Sequence, residues 1–103
     1  MVVLNIIRKE LYTAVVSDVL DRLGARGQEM SAGIRPMVAA RRLVGRAFPV
    51  IVREACEMPQ KPYARLIDAL DSVGAGEVFV TNALSDRAAF WGELLSNAVK
   101  AQW

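Results

Sequence analysis

Apolar residues at helical spacing occupy two separate segments of the chain, and β-branched runs lie between and after them. In the first segment the apolar positions follow the i, i+3, i+4, i+7 pattern of an amphipathic helix. They are Val16, Val19, Leu20 and Leu23. Thr13 stands where an N-cap belongs, and Gly24 supplies a stop at the other end. The spacing predicts a helix over residues 13–23.

A second stripe of the same kind lies further along the chain. Its apolar positions are Tyr63, Leu66, Ile67, Leu70 and Val73. Pro62 comes just before them, and proline is tolerated in the first turn of a helix because the N–H it lacks has no partner there. Gly74 follows the last apolar position and predicts the end of the helix.

Runs rich in apolar and β-branched residues predict the strands. Residues 43–52 are the longest such run. Within it, Gly45 predicts a bulge or the close approach of another group, and Pro49 predicts a bent or edge strand. Residues 78–81 predict another strand. Residues 34–38 contain Pro36 and predict a short extended piece at a sheet edge.

The two ends of the chain carry further helical patterns. Residues 2–10 predict a short helix or an arm that packs on a neighbour, and a last helix runs from about Arg87 or Gly92 to Gln102. The order is therefore helix, strands, helix, strand, helix. This order indicates an α/β or α+β fold.

The length of 103 residues suits one domain, residues 1–103. Two or three strands make a small sheet, and a small sheet is a poor core. We therefore expect either that another chain adds a strand or that the segment is the front part of a larger domain.

The charge balance argues against a nucleic-acid ligand. The chain has 13 basic and 11 acidic residues and a net charge of +2, which is not the basic footprint of a nucleic-acid-binding domain. Five arginines do cluster in the middle of the chain, and they are interpreted as a solvated face or, less favoured, as a basic rim for an acidic partner. They are Arg35, Arg41, Arg42, Arg46 and Arg53.

The chain contains one cysteine and no histidine, which excludes several kinds of functional site. A disulfide within the chain, a zinc site of the Cys/His kind and a histidine-based catalytic unit are all excluded. Chemistry must rest on carboxylates, arginines, backbone amides or a metal held by oxygen. Cys56 has no base near it in sequence and is interpreted as inert.

No apolar run approaches the roughly 20 residues that span a bilayer. The first nine residues also lack the positive-then-apolar order of a signal peptide. We therefore expect a cytoplasmic protein that makes no contact with membranes.

The sequence from Phe90 to Leu95 is the strongest candidate for a binding site. It follows a predicted strand and a polar loop, and it places Gly92 at the start of a helix. The first N–H groups of a helix have no partner inside it, and the helix dipole adds positive charge there, so an anion can bind over Gly92 to Leu95. The alternatives are an ordinary helix start or a close-packing glycine.

Several blocks of the sequence together form a recognisable pattern. The blocks are VSDVLDRLG at 16–24, IRP at 34–36, VGRA at 44–47, GEVFV at 76–80 and WGELL at 91–95, followed by Ala98 and Lys100. Taken together they resemble the RraA-like family, which comprises the regulator of ribonuclease E activity and the metal-dependent 4-hydroxy-4-methyl-2-oxoglutarate aldolases. The blocks occur in the family's order and span nearly the whole chain.

The resemblance implies a swivelling β/β/α domain that assembles as a homotrimer or hexamer. It also implies that a small 2-oxoacid of the pyruvate type binds between subunits, with its carboxylate on the backbone amides of Gly92, Glu93, Leu94 and Leu95. Glu93 falls at the family's acidic catalytic position, which helps to hold metal-bound water. A Mg²⁺ or Mn²⁺ ion would stabilise the enolate as a Lewis acid.

The resemblance covers the N-terminal two-thirds of the fold. The family's aldolases carry an Arg-Asp pair beyond the acidic position, and its aspartate reaches the metal. Counting on from Glu93, this pair would fall beyond Trp103, so the ligand aspartate is absent from this chain. We expect a C-terminally truncated domain that lacks the full catalytic machinery and contains no complete metal site.

Three functions follow from this, and the sequence leaves open whether the chain is an enzyme. The first is a lyase that cleaves 4-hydroxy-4-methyl-2-oxoglutarate or decarboxylates oxaloacetate. The second is a non-catalytic, protein-binding regulator of the ribonuclease E inhibitor type. The third is one half of a split domain that another polypeptide completes.

Overall fold

The structure is a computed structural model that describes residues 1–39, 41–83 and 87–102. Within them the elements are α1 (Val2–Glu10), α2 (Thr13–Arg22), β1 (Arg46–Val50), α3 (Ala64–Ser72), β2 (Glu77–Thr81) and α4 (Glu93–Gln102). Helices combined with a parallel strand pair agree with the predicted α/β class. The chain divides into two compact units, Met1–Gly45 and Arg46–Trp103, and each is described by itself.

In the first unit, residues 2–10 form helix α1, one of the two forms predicted for them. Arg42 closes its C-terminal end, because Nη1 donates to the carbonyl oxygens of Arg8, Lys9 and Leu11 at 3.2, 3.4 and 3.1 Å. Carbonyls at this end lack partners within the helix, and a cation is favoured there. Arg8 in turn donates from Nη2 to the carbonyl oxygen of Val44 at 3.0 Å. We call Arg8 and Arg42 the arginine clasp.

Helix α2 begins one residue earlier than its predicted cap implies. The N-cap is Tyr12, and the prediction of Thr13 was wrong. Tyr12 has extended backbone angles, and its carbonyl accepts the first helical hydrogen bond from the N–H of Val16 at 3.1 Å. Thr13 is therefore already inside the helix.

The end of α2 agrees with the prediction. Gly24 has a φ of 85°, in the left-handed region that glycine enters without steric cost. Its N–H bonds the carbonyl of Asp21 at 3.1 Å, and the N–H of Ala25 bonds the carbonyl of Leu20 at 2.9 Å. This pair of bonds is the Schellman motif, which satisfies the last carbonyls of a helix.

The predicted extended piece at residues 34–38 is not a strand, so this prediction was wrong. Hydrogen bonds there are local and do not form a ladder. The N–H of Ile34 donates to the carbonyl oxygen of Ser31 at 2.9 Å, and Nε of the Arg35 side chain donates to the carbonyl oxygen of Ala32 at 3.0 Å. The described part of this unit contains no strand with which these residues could pair. Extended residues without a partner gain no ladder bonds.

In the second unit, β1, α3 and β2 form a βαβ unit, in which a helix connects two parallel strands. The register runs without interruption from Arg46 opposite Glu77 to Val50 opposite Thr81. The predicted bulge at Gly45 is therefore not formed, because the strand begins only at the next residue.

Pro49 lies within β1, as predicted for an edge strand, and its place is explained by the direction of the neighbouring donors. The N–H of Arg46 bonds Gly76 on the β2 side at 3.0 Å, and the N–H of Val52 also points to that side. Because donors alternate along a strand, the nitrogen of Pro49 faces the outer edge. The missing N–H therefore costs the sheet no ladder bond.

Helix α3 starts later than predicted. Pro62 lies before the N-cap, Tyr63, which has a left-handed φ of 67°. The prediction that Pro62 occupies the first turn was therefore wrong. The buried apolar side chains of the described residues are Leu70 in α3, 6% exposed, and Val73 at its C-cap, 8% exposed. Both belong to the predicted apolar stripe.

A tight turn leads from α3 into β2. Glu77 donates its N–H to the carbonyl of Gly74 at 3.1 Å, and its carboxylate accepts the N–H of Gly74 at 2.8 Å. Gly76 has a φ of 79° at the third position of this turn, where a type II turn requires a positive φ.

Candidate functional site

Aromatic side chains gather where β2 ends and the chain returns to α4. The ring of Phe79 lies 6.2 Å from Phe48, 6.4 Å from Phe90 and 5.4 Å from Trp91, measured between centroids. Phe90 and Trp91 also meet edge to face at 6.2 Å. We call these four residues the aromatic cluster. It joins both strands to the residues that precede α4.

An open depression of about 220 Å³ lies on this cluster. Its lining is formed by Phe79, Thr81, Phe90 and Trp91, so three of the four lining residues are aromatic. Trp91, although 38% exposed, has its ring packed against Phe79. The start of α4 is therefore next to an apolar surface.

Asn82 holds the ends of the two strands together. Its side chain accepts the N–H of Val52 at 2.7 Å through Oδ1, and its Nδ2 donates to the carbonyl of Val52 at 3.0 Å. The side-chain amide thus takes the place of a backbone peptide in the ladder. This contact lies at the carboxyl ends of parallel strands, which is where open α/β sheets bind ligands.

Helix α4 begins at Glu93, which agrees with the later of the two predicted starts. Gly92 occupies the position before it, and its carbonyl accepts the N–H of Ser96 at 3.0 Å. The hydroxyl of Ser96 donates to the same carbonyl at 3.0 Å, and Nε1 of Trp91 donates to that hydroxyl at 2.9 Å. The other predicted start, at Arg87, lies outside the helix.

Neither a left-handed backbone nor tight packing requires glycine at position 92. Gly92 does not share the positive φ of Gly24, Gly27 and Gly76, and a Cβ built on it meets nothing within 4 Å among the described residues. Gly33 is in the same situation but lies in a loop. At Gly92 the missing side chain keeps the backbone accessible from solvent.

The four predicted site residues lie together as one turn, Gly92 followed by the first three residues of α4. We call residues 92–95 the amide turn. The N–H groups of Glu93, Leu94 and Leu95 have no carbonyl of the helix to bond. Leu94 is 85% exposed and Leu95 is half-buried. The exposed carboxylate of Glu93 lies at the positive end of the helix dipole, where it is favoured.

The side chains of the described residues do not fit a metal ion. In residues 1–39, 41–83 and 87–102 no three carboxylate, cysteine or histidine side chains come close enough to hold one. Cys56 is exposed. Glu93 is therefore not part of a ligand set in the described chain, and the site is built from amides, a carbonyl and aromatic rings.

Two features of the site were missed by sequence reasoning. The bond between Trp91 and Ser96 spans five residues and crosses a helix boundary, so no helical spacing announces it. Asn82 acts on the backbone of a residue 30 positions away. The sequence signal that could have identified Asn82 is its position directly after a strand, where an amide side chain can take the place of a peptide group.

A comparison with protein families gives one match. The sequence model of the RraA-like family, described as Aldolase/RraA, matches residues 13–103. The match covers most of the chain and includes both strands and the amide turn. The chain therefore belongs to the RraA-like family, which confirms the resemblance found in the sequence. No curated protein and no solved structure matches the chain.

Two properties are general among members of this family. RraA-like proteins are generally metal-dependent and generally oligomeric. None of the four helices in the described part of the chain has the length and hydropathy of a membrane span.

Proposed function

We propose that the chain binds the carboxylate of a pyruvate-type 2-oxoacid on the amide turn, as a relative of the 4-hydroxy-4-methyl-2-oxoglutarate aldolases and oxaloacetate decarboxylases. The N–H groups of Glu93, Leu94 and Leu95 donate to the carboxylate oxygens. Charge-assisted bonds of this kind are about twice as strong as neutral ones. The helix dipole favours the negative charge at the same place.

The observation that supports this most is the open backbone at Gly92. Neither a positive φ nor a close neighbour explains this glycine, and its other local role is that of an acceptable N-cap for α4. Close approach of a ligand to the backbone is a remaining reason for glycine. A methyl group at this position would occupy the space above the first turn.

Turnover needs more than the amide turn provides. A metal ligand set is not formed by the described residues. We therefore propose that this chain alone binds 2-oxoacids without converting them, and that Glu93 contributes to chemistry only in an assembly that supplies the remaining groups. The swivelling β/β/α architecture, the single domain over residues 1–103 and the pyruvate cleft between subunits belong to the same proposal.

The experiment is an NMR titration of the chain with pyruvate, alongside an assay for pyruvate release from oxaloacetate with Mg²⁺ and with chelator. We expect amide shifts confined to residues 92–96 and no release of pyruvate above the uncatalysed rate. Gly92→Ala should weaken binding about tenfold or more, the equivalent of one charged hydrogen bond. Gly33→Ala is the matched control, because Gly33 also has open space around it.

Two results would contradict the proposal. Pyruvate shifts spread over unrelated residues, or an unchanged dissociation constant in Gly92→Ala, would remove the amide turn from the site. Metal-dependent pyruvate release by the purified chain would show that the catalytic groups are complete, and Glu93→Gln would then be the first variant to assay.

A second function is favoured by the apolar surface of the chain. Large apolar side chains are exposed in both units, among them Met37 at 101%, Leu43 at 80% and Leu94 at 85%. Covering such side chains with another chain is favourable, because apolar surface gains free energy when it leaves water. We propose that the chain assembles into a homotrimer or hexamer, or contacts a regulated protein, through such surface.

Sedimentation equilibrium of the purified chain tests the second function. A trimer or hexamer at micromolar concentration is the expected result. A stable monomer that shows no tendency to associate would contradict self-assembly and would leave a different protein as the partner to be sought.

A further inference from the structure

We propose that Trp91 and Ser96 are positioning residues that fix the geometry of the amide turn, a role that rests on the proposed function. Nε1 of Trp91 donates to Oγ of Ser96 at 2.9 Å, and that hydroxyl donates to the carbonyl of Gly92 at 3.0 Å. The chain of bonds therefore starts at Trp91 before the helix, passes through Ser96 inside it and returns to Gly92, the residue directly before the helix start. We call it the Trp91–Ser96 brace.

The brace differs from an ordinary serine bond within a helix. Serine hydroxyls often bond the carbonyl four residues back, and this slightly weakens or bends the helix. Here the same hydroxyl also accepts a hydrogen bond, so both of its functions are used and its rotamer is set. Gly92 accepts two hydrogen bonds from Ser96, one from the backbone and one from the side chain.

The brace also connects the helix start to the sheet. The ring of Trp91 packs on Phe79 of β2 with centroids 5.4 Å apart. An indole held on a strand, with its N–H bonded to Ser96 in the second turn of α4, limits rotation of the first turn relative to β2. The three donor N–H groups of the amide turn thus keep one direction before a ligand arrives.

Such positioning matters because α4 is short. It has 10 residues, and isolated helices shorter than about 12–15 residues are marginal in water. A frayed first turn would have to be ordered by the ligand, and this ordering lowers the apparent affinity in proportion to the fraction of ordered chains. The brace keeps the turn ordered in the unliganded chain.

Three variants separate the parts of the brace. Trp91→Phe retains an aromatic ring on Phe79 but removes the donor. Ser96→Ala removes both side-chain bonds, and Ser96→Thr restores the hydroxyl. Ser72→Ala is the matched control, because Oγ of Ser72 donates to the carbonyl of Asp68 at 2.7 Å in α3, four residues back as in Ser96.

The test combines hydrogen exchange with pyruvate titration, both by NMR. In Ser96→Ala and Trp91→Phe we expect the amide at position 96 to exchange about fivefold faster and the pyruvate dissociation constant to rise about fivefold, the usual worth of one hydrogen bond. Ser96→Thr should return both values to within twofold of the original chain. Ser72→Ala should change neither.

Each combination of results decides something. Unchanged exchange and unchanged affinity in Ser96→Ala overturn the brace, even if pyruvate binds the original chain. Changes of the same size in Ser72→Ala overturn it as well, because the effect would then be general helix loosening. If the original chain does not bind pyruvate, the proposed function fails, and the exchange rates alone then decide whether the brace orders the turn.

Discussion

Each of the two units is stabilised internally by a different kind of contact. In Met1–Gly45 the arginine clasp bonds backbone carbonyls, and large apolar side chains such as Leu23 remain 77% exposed. In Arg46–Trp103 a parallel strand pair carries an aromatic cluster, and Leu70 is buried. Charged hydrogen bonds satisfy polar groups, whereas burial of apolar area supplies the larger driving force for folding. The second unit should therefore contribute more of the folding free energy.

The largest expected effect is in the second unit. Leu70→Ala removes a side chain that is 6% exposed and should lower the free energy of unfolding by about 3 kcal/mol, from lost burial and the cavity left behind. Urea unfolding followed by tryptophan fluorescence measures this, because both tryptophans lie in Arg46–Trp103. Leu43→Ala is the control in the first unit, where the side chain is 80% exposed and the change should stay below about 0.5 kcal/mol. Its unfolding is followed by helical circular dichroism, because the first unit contains no tryptophan. If both variants lowered the free energy of unfolding by the same amount, the second unit would not be the more strongly stabilised one.

A smaller effect is expected from the arginine clasp. Arg42→Ala leaves the last carbonyls of α1 without their cation and should cost about 1.5 kcal/mol. The loss should appear as reduced helical circular dichroism while tryptophan fluorescence stays unchanged. Raising the salt concentration should reduce the difference from the original chain, because exposed charges are screened.

Arg41→Ala is the control for this variant, since Arg41 is an exposed arginine directly beside Arg42. It should leave the circular dichroism unchanged. A loss of tryptophan signal in Arg42→Ala would mean that the clasp also supports the second unit, and the two units could not be treated as separately stabilised.

The smallest of the three effects is expected at the strand ends. Asn82→Ala removes the side-chain amide that bonds both backbone groups of Val52, and it should cost about 1 kcal/mol because water replaces part of the exposed contact. The expected readout is faster amide exchange at Val52, with the exchange at Arg46 unchanged. Exchange that rises equally along all of β1 would show instead that Asn82 stabilises the whole strand.

Sequence reasoning was most successful where one residue type has one physical role. Gly24 was predicted as a helix stop, and its positive φ and its bonds agree. The apolar stripe of residues 63–73 also includes Leu70, the buried residue of α3, whereas Tyr63 and Ile67 of the same stripe are 75% and 51% exposed. Both signals are local, because glycine backbone freedom and a helical period are properties of a few neighbouring residues.

The failures concern contacts between distant residues. Residues 34–38 have strand composition, but a strand needs a partner, and sequence patterns do not supply one. Tyr63 takes a left-handed conformation that its residue type does not suggest. At the candidate site the four residues of the amide turn were predicted, whereas the supporting contact from Trp91 to Ser96 was not, because it depends on where a ring settles on β2.

Pro49 makes the two open edges of the sheet chemically unequal. In the described chain the sheet has two strands, so each strand keeps one edge without a ladder partner. The outer edge of β1 lacks a donor in the middle of its row, because the nitrogen of Pro49 faces outward and carries no hydrogen. Natural sheets use proline in this way to discourage pairing with other chains. A further strand is therefore expected to pair with the edge of β2, and pairing between copies through the edge of β1 is discouraged.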